Sequence, residues 1–238
     1  MTGTDGKVGL VFVSHSSKIA EGLVELASQM APHTSLAAAG GTDDDGIGTS
    51  FEKVSAAIGE VDSGVGVVVL CDLGSAILTA ETALDFLDDD VRQHVRIVDA
   101  PLIEGAVAAS VTAETGGTLD DVVAAAESAR GAAEDVPGPD AATAVQQTTD
   151  AAASSLTRTV TVVNKDGLHA RPAAEFVKLA NTFPSKISIN GKDSKSLLGI
   201  MSLGLVRGTT ATLSTDDQSG KQALDALAEL IESGFGEA

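Results

Sequence analysis

The sequence predicts two joined folds, an open parallel α/β sheet over residues 1–135 and a small α+β open-faced sandwich over 156–238. Three observations carry this. In the first part, apolar runs of strand length alternate with apolar residues at helical spacing. After Glu134 the rhythm changes to short alternating strands and short helices. The charge also divides: residues 1–150 hold 25 acidic and 6 basic side chains, whereas residues 151–238 hold nine of each.

Taken in order, Val8–Val13 and Val65–Leu70 are continuous apolar runs, as expected of strands buried on both faces of a parallel sheet. Thr34–Ala38 and Val95–Val98 are shorter strand candidates. Helices are predicted where Ile19, Leu23, Leu26 and Met30 recur, then Phe51, Val54 and Ile58, then Ile77, Ala80, Ala83, Leu84 and Leu87. Sites in such a sheet lie beyond the carboxyl ends of the strands. From Val136 to Ser155 the chain is rich in Pro, Gly, Ala, Thr and Gln with Val145 as an isolated apolar anchor, so 136–155 reads as a flexible linker. Alanine propensity offers a surface helix around Ala141–Ala153 as the alternative. In the second module, Thr159–Val163 reads as a strand and Arg171–Asn181 as a helix, with Phe176, Leu179 and Ala180 on one side. Lys186–Asn190 follows as a strand, Ser196–Leu203 as a short helix, Thr209–Thr215 as a strand and Gln222–Ile231 as a helix.

The formal net charge of −19 disfavours duplex DNA or an anionic membrane as the main ligand, since both demand a basic face. No apolar run approaches the roughly 20 residues of a membrane span, so no membrane insertion is expected. The opening residues lack the features of a secretory signal. The single cysteine, Cys71, cannot form an internal disulfide and reads as a small buried residue. Four scattered histidines make no metal cluster, and no metal site is expected. Asp43–Asp45 and Asp88–Asp90 read as solvated loops, and His33 and His94 as surface residues. A cytoplasmic protein is expected.

Two histidines stand at predicted helix starts. His15 follows the first strand, among Ser14, Ser16 and Ser17, which are all good N-cap residues. It would lie at the carboxyl edge of the sheet, beside amide donors and the positive helix end, where an anion is stabilised. Asp72 leaves the third strand at the same edge, where a carboxylate would hold one imidazole nitrogen as a donor and leave the other free to attack. His169 lies before a helix whose first turn contains Pro172, with Arg171 two residues away to offer a fork of donors to a phosphate. Lys178, seven residues after Arg171, shares its face.

Lys165–Ala174 (KDGLHARPAA) and Lys195–Gly204 (KSLLGIMSLG) resemble the two signatures of HPr, the histidine phosphocarrier of the phosphoenolpyruvate:sugar phosphotransferase system. The resemblance covers about residues 156–238. It implies that His169 takes phosphate from phospho-enzyme I on its δ nitrogen, with Arg171 assisting. Ser196 occupies the position that some bacterial HPr proteins present to a regulatory kinase, although an N-cap role is sufficient reason for it. Leu198, Met201 and Leu203 read either as core or as a docking patch.

The first module, through VSHSSKIAEG (13–22), GIGTS (46–50) and DLGSAILTAETA (72–83), resembles mannose-class IIA domains and, more closely, the DhaM family of dihydroxyacetone kinase phosphotransferase subunits. That resemblance implies a second phosphorylation site at His15 and a homodimer formed through this module. HPr following directly, with no IIB domain, also fits multidomain DhaM proteins. The chain ends without an enzyme-I-like segment, so a separate enzyme I is expected as donor. The implied relay runs from enzyme I to His169, to His15, and then to ADP on the kinase nucleotide-binding subunit, with dihydroxyacetone phosphorylated on the substrate-binding subunit. No cofactor is expected on this chain, and Mg²⁺ would accompany ADP on the partner. Asp72 would orient His15; Ser16, Gly48, Thr49, Gly74 and Ser75 are taken from loop position as phosphate support. The alternatives are a IIA–HPr component of mannose-class sugar uptake and a phosphorylation-dependent regulatory binding module.

Overall fold

The computed structural model describes residues 6–132 and 155–236. The chain divides into two compact units, Met1–Arg130 and Gly131–Ala238. The linker expected over 136–155 lies, apart from Ser155, outside the described residues.

The first unit runs β1 (Gly9–Ser14), α1 (Ser17–Met30), β2 (Leu36–Gly40), α2 (Phe51–Val61), β3 (Val67–Cys71), α3 (Gly74–Asp85), α4 (Asp89–Arg92), β4 (Val95–Val98), α5 (Leu102–Glu114) and α6 (Leu119–Glu127), and the division falls within α7 (Ala129–Ala132). Its four strands are parallel in the order β2-β1-β3-β4. Because side chains alternate along a strand, β1 and β3 feed both faces. Leu10, Phe12, Val68 and Leu70 pack with Leu23 and Ala27 of α1 and Ala106 and Ala109 of α5. Val11, Val13, Val67, Val69 and Cys71 pack with Val54 and Ile58 of α2 and Ala76, Ala80 and Ala83 of α3. Both central strands are buried along their whole length, which is why they are apolar up to Ser14, the last residue of β1.

Several expectations are corrected. The second strand is Leu36–Gly40 rather than 34–38, and its end lies so close to α1 that a Cβ on Gly40 would stand 2.6 Å from the Ser16 carbonyl oxygen. Ile19 and Leu26 do not belong to the buried stripe of α1, being 50% and 42% exposed; the sheet is met by Ala20, Leu23, Ala27 and Met30. Small side chains at two of these positions let the helix approach the sheet. Leu87 lies past the end of α3, although it packs against the core. His94 is half-buried, with Nε2 2.9 Å from Asp62 Oδ1, whereas His33 is exposed. The helices α5, α6 and α7 lie in a segment where no helix was expected. α5 is buried on nearly every side, from Gly105 through Val111, so it has no polar face to reveal it.

The second unit runs β5 (Leu156–Thr161), α8 (Ala170–Asn181), β6 (Ser188–Ile189), β7 (Lys192–Asp193), α9 (Leu197–Met201), β8 (Thr210–Thr215) and α10 (Lys221–Glu232). The antiparallel sheet has the order β5-β8-β6-β7. Phe176 and Val177 of α8, and Leu224, Leu227 and Ile231 of α10, are buried. The strand expected over 186–190 shrinks to two residues. Just before it, the Ile187 carbonyl accepts Ser194 N–H at 3.0 Å and the Lys186 carbonyl accepts the Thr215 hydroxyl at 2.7 Å.

Candidate active sites at His15 and His169

The parallel register carries β1 and β3 out at one edge together, with Val13 opposite Cys71. The next residues are therefore neighbours, and Asp72 N–H still bonds the Val13 carbonyl at 3.1 Å. This brings His15 and Asp72 together from positions 57 residues apart. His15 Nδ1 lies 2.8 Å from Asp72 Oδ1, and the His15 backbone N–H donates to Oδ2 at 2.8 Å. Leu73 N–H donates to Oδ1 at 2.7 Å and the Ser14 hydroxyl to Oδ2 at 2.9 Å. Burial pushes the Asp72 carboxyl upward, but the bonds from the His15 backbone and ring and from Ser14 outweigh it and hold it below the usual carboxylate range. An ionised Asp72 only accepts, so His15 Nδ1 carries the proton and Nε2 presents a lone pair. That lone pair faces Ser75 Oγ at 2.7 Å.

Gly74 and Ser75 are the first residues of α3, where leading amides have no intrahelical acceptor. Thr79 Oγ1 donates to the Ser75 carbonyl at 3.1 Å and lies 2.7 Å from Thr49 Oγ1, tying the 41–50 loop to α3. The other loop residues are engaged differently. Gly48 N–H donates to the His15 carbonyl at 2.9 Å, and Ser16 N–H to Ser14 Oγ at 3.2 Å. Both amides hold the loop that carries His15. Ser16 is the N-cap of α1 by position, with no capping bond from its side chain. Asp43 accepts the Ser50 hydroxyl, and Asp45 pairs with Lys53 at 2.7 Å, so the acidic run braces this loop. Cys71 is buried beside the site; burial, with the Asp72 and Glu81 carboxylates adding, pushes its thiol up to about 12. It is a neutral packing residue.

In the second unit His169 is the N-cap of α8 and is exposed. Its backbone N–H donates to the Gly167 carbonyl at 3.0 Å, and its carbonyl accepts Ala173 N–H at 3.0 Å. The preceding loop is fixed from below. Leu168 N–H donates to the Leu205 carbonyl at 2.8 Å. Gly167 has φ +71°, and a Cβ there would meet that carbonyl at 2.3 Å. The buried Asn164 side-chain amide donates to the Gly167 carbonyl. Arg171 lies two residues into α8, 60% exposed, with Nε 3.6 Å from Glu175 Oε1. Ser196 is the N-cap of α9, its hydroxyl accepting Gly199 N–H at 3.1 Å. Leu198 is core, whereas Met201 is 36% exposed.

Loop position marked His15, Asp72, Ser75, His169 and Arg171. It did not single out Ser14 as a partner of Asp72, nor Thr79 or Asn164, whose relevance lies in contacts with no local spacing.

Residues 9–123 match the family of the PTS system fructose IIA component, and residues 156–233 that of the PTS HPr component phosphorylation site. The chain is 39% identical over 242 residues to the Escherichia coli (strain K12) "PEP-dependent dihydroxyacetone kinase, phosphoryl donor subunit DhaM", covering 97% of this chain and 51% of that protein. It thus spans about half the length of the curated relatives it matches most widely. Over 105 residues it is 42% identical to a Listeria innocua "PEP-dependent dihydroxyacetone kinase 2, phosphoryl donor subunit DhaM", covering 44% of this chain and 84% of that protein. Over 86 residues it is 46% identical to the "Phosphocarrier protein HPr" of Cupriavidus necator, covering 34% of this chain and 97% of that protein. A parallel-sheet unit with histidine and aspartate at its carboxyl edge, joined to a unit with histidine capping a helix, agrees with both matches, and the chain belongs to the DhaM family as a IIA-type unit fused to an HPr-type unit.

Proposed function

We propose that this chain is a two-step phosphohistidine relay. His169 accepts phosphate from phospho-enzyme I and passes it to His15. His15 then phosphorylates ADP held, with Mg²⁺, on the nucleotide-binding subunit of a dihydroxyacetone kinase, and that nucleotide serves dihydroxyacetone on the substrate-binding subunit. The observation that carries the reading is the His15 constellation. One ring nitrogen is bound to a half-buried carboxylate at 2.8 Å, and the other faces a hydroxyl at the start of α3.

Each step is an in-line displacement in which the protein mainly positions groups and balances charge. The His15 Nε2 lone pair forms the new N–P bond while the donor imidazole leaves with the electrons of the old one. The Nδ1 proton stays in place. Positive charge on the phosphorylated ring is matched by the Asp72 carboxylate beneath it. Ser75, which donates to the Nε2 lone pair before the reaction, turns to a phosphoryl oxygen after it, and the first amides of α3 face the same anion. In the second unit Arg171 serves the phosphoryl group on His169, leaving its ion pair with Glu175 at the surface. The chain acts in the cytoplasm and pairs through its first unit. Ser196 serves as a helix cap.

The reading is tested by incubating the chain with phosphoenolpyruvate, enzyme I and the two other kinase subunits. Dihydroxyacetone phosphate should form, and should be lost in both His15→Ala and His169→Ala. Full turnover by His15→Ala would overturn the order of transfer. A phosphorylated His15 that ignores the ADP-loaded subunit but passes phosphate to a IIB protein would move the chain to sugar uptake.

A further inference from the structure

Ser14 is the last residue of β1 and is fully buried. It is not the cap of α1, a position held by Ser16. Its hydroxyl instead accepts Ser16 N–H at 3.2 Å and donates to Asp72 Oδ2 at 2.9 Å. A hydroxyl has one proton, and an amide N–H can only donate. The Ser16 amide therefore fixes the direction of the Ser14 hydroxyl, and its proton has only the carboxylate to go to. Without that hydroxyl, Asp72 Oδ2 keeps one donor, the His15 N–H at 2.8 Å, and the Ser16 amide loses its acceptor.

We propose that Ser14 is a positioning residue for phosphoryl transfer at His15: its buried hydroxyl, aimed by the Ser16 amide, pins the Asp72 carboxylate and so fixes the ring with its proton on Nδ1 and its lone pair on Nε2. The consequence for transfer rests on His15 being the phosphoryl acceptor; the tautomer does not. The ionisable groups around Asp72 are few. His15 lies on the β1–α1 turn. Cys71 of β3 remains a thiol, and Glu81 of α3 acts on that thiol. Ser14 is thus a neutral group that holds the carboxylate in place and ionised without adding charge to a site that must receive a phosphate. A lysine or arginine placed there would hold Asp72 as firmly, but would compete for it with the imidazolium character that the ring gains on phosphorylation.

The test uses the full chain with ring-¹⁵N-labelled histidine at mildly alkaline pH, with His15→Ala identifying its signals. In the wild type, Nδ1 should carry the proton and Nε2 should resonate as an unprotonated nitrogen. Ser14→Ala and the smaller Ser14→Gly, which both remove the donor, should move these signals toward tautomer-averaged positions. They should also slow His15 phosphorylation about tenfold, as expected for losing one hydrogen bond to a charged group. Ser14→Thr, which restores the hydroxyl, should recover both. Amide spectra identify the variants that keep the fold. A wild type with its proton on Nε2 would overturn the proposal without any variant. So would a folded Ser14→Ala or Ser14→Gly chain with unchanged ring signals and rate. If wild-type His15 takes no phosphate at all, the functional reading fails, while the ring signals still decide the role of Ser14.

Discussion

Four donors converge on the Asp72 carboxylate, two on each oxygen. An amide in its place has one acceptor oxygen and would turn its NH2 toward two of those donors. Asp72→Asn should therefore scramble the His15 tautomer and slow phosphorylation of His15 on the order of 10⁴-fold, the scale seen when a triad carboxylate becomes an amide. Phosphorylation of His169 should continue at its normal rate, which timed labelling of the two histidines would show. His15 and Asp72 were legible in the sequence because each follows an apolar run at the carboxyl edge of a parallel sheet. Ser14 was legible only as a potential helix cap. Its actual partner is 58 positions away, and no local pattern encodes such a contact.

At the scale of elements, strong local signals translated well. Val95–Val98 is the observed β4, and α8 begins where Pro172 and His169 place it. Ser196 also fits this level, since its hydroxyl caps α9. Ser196→Ala should cost about 1 kcal/mol of stability in the second unit, the usual value of a lost N-cap, while phosphorylation of His169 keeps its rate. Thermal unfolding and a phosphorylation time course would check the two halves of that statement. Elements without a polar face were harder to read. α5 lies against both the sheet and α6, so Ala106 through Val111 are all buried and the helix shows no stripe. The shift of β2 by two residues has a related cause. After Leu36 the strand holds only small residues, and pairing with β1, rather than side-chain character, decides where the strand starts.

For the whole first unit, stability depends on a second clamp, which contacts neither His15 nor Asp72. Glu114, at the end of α5, accepts His33 N–H at 3.1 Å and the Thr34 hydroxyl at 2.8 Å, and pairs with Lys7 at 3.0 Å and with His33 Nδ1 at 2.8 Å. Burial opposes its ionisation, but these bonds draw the carboxyl down from 4.5 to about 2. A depressed acid stabilises the fold fully above its ordinary value and loses that contribution as pH falls toward the lowered one. Glu114→Gln should cost roughly 2 kcal/mol at neutral pH and flatten the loss of stability between pH 4.5 and 2, as followed by denaturant unfolding across pH. The charge asymmetry also has a consequence at this scale. With the excess of acid in residues 1–150 and Arg171 and Lys178 on α8, added salt should slow phosphoryl transfer from a separated second unit to a separated first unit, measured as an initial rate against ionic strength. Both fold classes, the histidine before each helix and the placement of charge could be read from the sequence. All of these follow from periodicity, composition and turn chemistry, which act over a few residues. Tertiary structure alone decided the hydrogen-bond directions at His15, the burial of α5, the half-buried His94 and the Glu114 clamp, because each depends on which distant segments strand pairing and packing bring into contact.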